Sequence, residues 1–241
     1  MLVVSAHAAD YCTRAGGTIA RYIKEGWNVT ILVLTLGEKG ESGGYWRDNP
    51  SGTVEECGQI RRRESQAAAE YLGASIEFYD YRDYPLIISE EIIRKLTRRI
   101  LDIRPEIILT HWIYDPLNRD HQNTGKAVVE AVSSAAQIGA FPDTPAHYFP
   151  NLYFFECTVP HSEFNQFKAD TFIDIEETFE KKIKAIKHFE CQPHLSFYYK
   201  HFAEHRGFQA TDWAKRSIKY AEGFIRYIPY VGITFPLTER S

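Results

Sequence analysis

Short apolar runs rich in β-branched residues alternate with amphipathic helical stretches through the first 140 residues. Residues 2–6 read as a buried strand, and Thr13 to Glu25 as a helix with Ala15, Ile19, Ala20 and Ile23 on one face. Gly16 and Gly17 in that helix allow close backbone approach to the strand end or to a ligand, and Gly26 is a natural stop. Asn28 to Thr35 forms a second strand. Glu55 to Leu72 forms a helix, with Gly73 suited to its C-cap. Ser75 to Tyr79 is a third strand. Ser89 is an N-cap, with Glu90 and Glu91 in the first turn of a helix running to about Ile103. Glu106 to Thr110 is a fourth strand, and Asp120 to Ile138 is again helical. This alternation predicts an α/β fold: a Rossmann-like, doubly wound, mostly parallel sheet flanked by helices, with right-handed crossovers.

The pattern changes after Phe141. Asn151 to Glu156 and Thr171 to Ile175 read as strands, Glu176 to Phe189 as a helix, and Ser196–Glu204 and Asp212–Ile225 as two more helical stretches. No linker, repeat or low-complexity tract interrupts the chain. One domain over residues 1–241 is expected, its part from about residue 141 packing on the core and walling the site.

At 241 residues the chain is long enough for a sizeable core, and 44% apolar with 25% charged residues is an ordinary soluble composition. A net charge of −4 makes no electrostatic case for nucleic acid. No stretch approaches the roughly 20 apolar residues that span a bilayer. Met1-Leu-Val-Val runs straight into a strand, so no signal peptide is expected and a cytoplasmic location is the default. Cys12, Cys57, Cys157 and Cys191 form no C-x-x-C pair, which argues against a disulfide framework or a structural zinc site. Cys12 is expected to be a packed thiol and not a ligand.

Two clusters carry chemistry. His7 and Asp10 follow the first strand, and His111, Asp115, Asn118, Asp120 and His121 follow the fourth. Groups just past the ends of parallel strands converge on one crevice. Two imidazoles and a carboxylate are a common catalytic zinc set that leaves a coordination position open. H-x-x-D occurs often by chance, and its ordinary meaning is a strand-end histidine bonded to a helix-capping aspartate. The second cluster, placed where α/β sites form, favours a mononuclear zinc enzyme with His7, Asp10 and His121 as ligands. The loop from Gly37 to Gly52 is long for a compact domain, and such loops are usually functional.

These motifs resemble the LmbE-like or PIG-L superfamily of zinc-dependent de-N-acetylases. Ala6-His7-Ala8-Ala9-Asp10 stands where that superfamily has A-H-P-D-D. His111, Asp115, Asp120 and His121 resemble its H-x-x-x-D-x-x-x-D-H type of motif, with one residue more between the two aspartates. Gly37-Glu38-Lys39-Gly40 resembles its G-E-x-G loop, and Arg63-Glu64 with Leu72-Gly73 fits the helix that follows. The resemblance covers most of the first 130 residues. It implies an LmbE-like fold and His7, Asp10 and His121 as metal ligands. It also exposes a departure: the deacetylases use the first Asp of A-H-P-D-D as general base, and here that position is Ala9. Such a base is worth roughly 10²–10⁴-fold in rate.

A narrower resemblance, along nearly the whole chain, is to the hydratases of 4-oxalomesaconate in aromatic-acid degradation. It rests on the A-H-(S/A)-A-D start, the Gly-Glu-(Arg/Lys)-Gly-Glu-Ser-Gly loop, Tyr84-Pro85-Leu86, Asp115-Pro-Leu-Asn118-Arg-Asp120-His121, Arg206-Gly207-Phe-Gln209-Ala210 and Tyr220-Ala-Glu222. Hydration of an unsaturated oxo acid needs a Lewis acid on an oxygen, a base for water and an acid for carbon. Zn²⁺ suits the first role. Glu38 and Glu41 on the long loop are candidates for the others. Asp120 could orient a ligand imidazole or shuttle a proton, and Asn118 could donate to a developing oxyanion.

A polycarboxylate substrate also needs cations. Arg14, Arg47, Arg62, Arg63 and Arg206 are available. Arg47, beside the glutamates, and Arg206 are the choices for substrate binding, with His111 and Asp115. His194, His201 and His205 could mark a second metal but read better as a partly exposed helix, and Phe197, Tyr198, Tyr199 and Phe202 as core or subunit contact. Three functions compete: a hydratase, expected as a homo-oligomer; an amide hydrolase using another base; and a non-catalytic metal-binding relative. Ala9 weighs against the second, and the concentration of polar groups at the crevice against the third.

Overall fold

The computed structural model describes residues 1–158 and 162–237. The elements follow in the order β1 (Leu2–Ser5), α1 (Asp10–Lys24), β2 (Thr30–Thr35), α2 (Gly43–Asp48), α3 (Val54–Leu72), β3 (Ser75–Tyr81), α4 (Glu90–Ile103), β4 (Ile107–His111) and α5 (Arg119–Ala135). Then come β5 (Asn151–Phe155), α6 (Ser162–Asn165), β6 (Thr171–Asp174), a 3₁₀ turn (Glu176–Thr178), α7 (Phe179–Ile186), α8 (Leu195–Ala214) and β7 (Ala221–Arg226). They form one sheet in the order β3-β2-β1-β4-β5-β7-β6. The first five strands are mutually parallel, and β7 runs antiparallel to both β5 and β6.

Residues of β1 alternate between the two sides of the sheet, so Val3 joins the core under α1, α3 and α7 while Leu2 and Val4 join the core under α4 and α5. Strands buried on both faces read as unbroken apolar runs, as β1 and β2 do. The local stop signals act as their chemistry requires. Ser89 Oγ accepts from Ile92 N at the start of α4, and Gly73 takes the left-handed conformation after α3. Thr53 and Glu56 add a reciprocal capping box at the start of α3.

Two expectations are corrected. Asp212–Ile225 is not a helix: α8 runs on to Ala214, Lys215 ends it in the left-handed region, and Ala221–Arg226 is strand β7. Ala214, Ile218, Ala221 and Ile225 imitate the spacing of a helical face, but the backbone from Ala221 pairs on both sides, with β5 and β6. The loop after β2 also contains the short helix α2. Gly17 admits close approach by the side chain of Ile175, the residue just past β6: a Cβ at Gly17 would stand 2.7 Å from it. Among the described residues no helix is long and apolar enough to cross a membrane.

Candidate active site

The strand order reverses between β1 and β4, and a doubly wound sheet opens a crevice at that switch point. His7 lies just past β1, Asp10 opens α1, and His121 lies in the first turn of α5 after β4. All three side chains are buried. His7 Nδ1 stands 3.2 Å from His121 Nε2 and 3.4 Å from Asp10 Oδ2, and His121 Nε2 stands 3.4 Å from Asp10 Oδ1. Glu41 joins them, its Oε1 lying 3.2 Å from His7 Nδ1 and 3.4 Å from His121 Nε2. One donor atom from each of these four residues lies within 4.8 Å of the others.

The outer nitrogens are committed. His7 Nε2 faces Asp120 Oδ2 at 3.2 Å, and His121 Nδ1 faces Asp115 Oδ2 at 2.9 Å. Each carboxylate thereby holds the N–H tautomer that leaves the inner nitrogen a lone pair, as carboxylate–histidine pairs do at metal centres. Burial works against charging His7, but Glu41 and hydrogen bonds to Asp10 and Asp120 outweigh it and raise its pKa well above the ordinary value. Burial also opposes protonation of His121, yet Asp10 leads the groups that bring it up to about 9. Asp10 and Glu41, despite burial, are held well below the carboxylate range by the facing histidines. The carboxylates of Asp10 and Glu41 and two inward lone pairs therefore call for positive charge between them, supplied either by protons or by a divalent cation. The donor set fits a metal of the zinc class.

The second cluster divides by role. Both oxygens of Asp120 accept backbone N–H groups, from Tyr84 at 2.8 Å and Leu86 at 2.7 Å, so it orients His7 and anchors the Tyr84–Leu86 turn. Asp115 also accepts from Thr158 N and Oγ1. His111 is buried and stacks on His121; its Nε2 accepts from Ala6 N at 2.9 Å, and burial lowers its pKa to about 3. Asp115 and His111 are both buried, and neither lines the cavity beside Asp10 and Glu41. Asn118 caps α5 through Oδ1 and donates from Nδ2 to Glu41 Oε1 at 3.1 Å. One N–H of that amide is thereby given to a carboxylate.

The glutamate loop also divides. Gly37, with φ of +71°, turns the chain beside His7, where a Cβ would lie 3.1 Å from Cβ of His7. Glu41 is thereby carried over the histidines. Glu38 points elsewhere: it lines a groove with Arg62 and Asp80, and burial raises its pKa. Asp83 holds the loop by accepting from Lys39 N and Gly40 N.

A cavity of about 150 Å³ opens beside Asp10 and Glu41. Ala9 lines it, offering a methyl group where a carboxylate would reach the occupant. Arg14, Thr158, Gln192, His194 and Tyr198 contribute the polar part of its wall. Thr158 and the start of α8 bring the C-terminal part of the chain to the site. Arg47 is corrected: it is exposed and paired with the neighbouring Asp48, outside this cavity. Arg206 is corrected likewise: it is buried, forks onto Glu156 and reaches Gln209, and does not line the cavity. Cys12 is a core thiol. His201 bonds Phe197 O within α8, and among the described residues the cluster at His7 is the one group of three or more His, Cys, Asp or Glu placed to share a metal. Arg14, one of the arginines available in the sequence, stands one helical turn after Asp10, on the same face.

Known proteins resemble this chain in sequence and in fold. The family model described as GlcNAc-PI de-N-acetylase, PIG-L, matches residues 2–132. A 4-oxalmesaconate hydratase of Pseudomonas putida is 38% identical over 235 residues, covering 95% of this chain and 90% of that protein. A 1D-myo-inositol 2-acetamido-2-deoxy-alpha-D-glucopyranoside deacetylase of Rhodococcus erythropolis is 31% identical, covering 62% of this chain and 60% of that protein. The crystal structure of GalB, the 4-carboxy-2-hydroxymuconate hydratase of Pseudomonas putida KT2440, superposes with a TM-score of 0.92 at 37% identity, over 98% of each chain. The N,N'-diacetylchitobiose deacetylase of Pyrococcus horikoshii shares the fold, with a TM-score of 0.78 at 22% identity, over 94% of this chain and 82% of that one.

Proposed function

This chain belongs to the PIG-L family, and on that premise we propose that it is a metal-dependent hydratase adding water to an unsaturated oxo-carboxylic acid of the 4-oxalomesaconate type. The observation that carries the reading is Ala9 in the cavity wall, with Glu41 as the carboxylate that reaches the same space. A hydrolase of the deacetylase type loses its base at position 9. A hydratase whose proton-transfer group comes from the loop after β2 does not need one there.

His7, Asp10 and His121 would hold the metal, with Glu41 facing them. When bound, a zinc ion supplies a Lewis acid for the substrate's carbonyl or enol oxygen. Glu41 takes the proton from the water that adds to the β carbon. Protonated in that step, it can then give the proton to the α carbon. Asn118 keeps Glu41 in place through Nδ2. Asp120 and Asp115 fix the imidazole rings. Such positioning lowers the barrier by removing the search for geometry at the moment of reaction.

The same reading places the enzyme in aromatic-acid degradation. The free cysteines suit a cytoplasmic setting. The exposed Val231, Ile233 and Phe235 suit a homo-oligomer. The deciding experiment incubates the zinc-loaded protein with 4-oxalomesaconate and, separately, with N-acetylglucosamine derivatives, following enol absorbance and acetate release. Loss of enol absorbance with little or no acetate is expected. Robust deacetylation without hydration would replace this function with amide hydrolysis.

A further inference from the structure

Arg14 is the one lysine or arginine among the described residues that line the cavity beside Asp10 and Glu41. It is buried, and the protein holds it on two sides. Nε donates to the carbonyl of Glu156 at 2.9 Å. Nη1 donates to Asp10 Oδ1 at 2.7 Å and to Thr13 Oγ1 at 3.1 Å. The Cζ lies 5.9 Å from the centroid of the ring of Tyr199, a residue of the same wall. A guanidinium carries five N–H donors. These contacts use the donors of Nε and Nη1, and among the described residues none takes Nη2.

A fixed guanidinium with one uncommitted nitrogen, bordering a cavity, is a preorganised anion site, because the cost of ordering the side chain is met in folding and not in binding. The alternative cations do not compete: Arg47 is paired at the surface and Arg206 is enclosed by Glu156. We propose that Arg14 forms a carboxylate subsite, Nη2 donating to a carboxylate of the substrate while Nη1 holds Asp10. This rests on the hydratase reading and deepens it. The guanidinium stands between the incoming carboxylate and Asp10 and screens their repulsion. Together with Ala9, it makes the cavity select polycarboxylates over neutral N-acyl sugars.

The test uses the zinc-loaded protein, Arg14→Lys and Arg14→Gln, each titrated calorimetrically with two unreactive ligands. Propane-1,2,3-tricarboxylate probes the subsite. Acetohydroxamate, a metal ligand without a carboxylate, probes the metal and its surroundings. Lys keeps a charge beside Asp10 and Gln keeps a donor, so the folded site and its metal content should persist. The expected result is at least ~10-fold weaker tricarboxylate binding in both variants, with acetohydroxamate affinity changed by less than about 2-fold. Equal weakening of both ligands, or loss of metal from both variants, would show that Arg14 acts only by holding Asp10 and would overturn the subsite. Unchanged binding of both ligands would overturn it too. Turnover of 4-oxalomesaconate by the unsubstituted protein is measured alongside. Its absence, with Arg14-dependent tricarboxylate binding intact, would remove the hydratase function and leave the subsite standing.

Discussion

Asn118 Nδ2 donates to Glu41 Oε1 at 3.1 Å, so the residue that caps α5 also holds the glutamate facing both histidines. The two halves of the site, one after β2 and one after β4, are joined at this bond. Asn118→Asp separates its two jobs. An aspartate still caps the helix but brings a second carboxylate against Glu41 and no donor. Thermal stability should change little, while kcat falls by about 10-fold or more. Asn118→Ala should also lose about 1 kcal/mol of stability, the usual value of an N-cap. Denaturant melts and steady-state kinetics of the two variants separate the roles; equal kcat in Asn118→Asp and the unsubstituted protein would remove Asn118 from the positioning of Glu41.

The two loop glutamates should behave differently. Glu41→Gln keeps size and removes the basic carboxylate, and kcat should drop by roughly 10²-fold or more, the range for a lost general base. Glu38→Gln should stay within a few-fold of normal, because Glu38 lines the groove with Arg62 and Asp80. Hydration rates with metal content measured on each sample decide the assignment. A large loss in Glu38→Gln alone would reverse it.

Asp115→Asn leaves the donors of His7, Asp10 and His121 in place but weakens the hold on His121 Nδ1, now 2.9 Å from Asp115 Oδ2. Metal affinity should fall by about 10–100-fold, as it does when outer partners of ligating histidines are lost. His7→Ala and His121→Ala should lose stoichiometric metal altogether. Competition with a chelator, read by elemental analysis, measures all three; full metal retention in His7→Ala would remove it from the ligand set.

Metal removal should make stability depend on pH in a defined window. In the metal-free protein the folded pKa of His121 is raised to about 9, above the ordinary value near 6.5. The protonated form is favoured by folding, so its stabilisation is complete below about pH 6.5 and is lost as pH rises through 9. Tm of the chelated protein should therefore fall across that interval. The zinc-loaded protein should not lose stability there, because metal binding takes the place of the protons. Melting curves at several pH values with and without chelator test this, and parallel curves would refute it.

Arg206 and Arg47 give a contrast in stability. Arg206→Met leaves the buried Glu156 carboxylate without its partner and should cost about 3–5 kcal/mol. Arg47→Ala removes an exposed pair with Asp48 and should be nearly neutral. Urea denaturation of both variants provides the comparison; a near-neutral Arg206→Met would mean that Glu156 is stable alone.

What the sequence by itself determined lies close along the chain. Apolar runs separated by helical periodicity set the strands β1 to β4 and the helices between them, and His7, Asp10 and His121 lie beside the ends of those elements, so the topology of a parallel sheet brings them together. Tertiary structure alone decided the rest. Glu38 and Glu41 are three residues apart in the same loop, and only the turn at Gly37, the grip of Asp83 and the bond from Asn118 distinguish them. Arg14, Arg47 and Arg206 are equal as charges until packing pairs two of them away from the cavity. Residues 221–225 carry a helical spacing that pairing with β5 and β6 overrides. Periodicity reports which face of a segment is buried. Which distant partner buries it, or completes its hydrogen bonds, is settled only when the chain closes on itself.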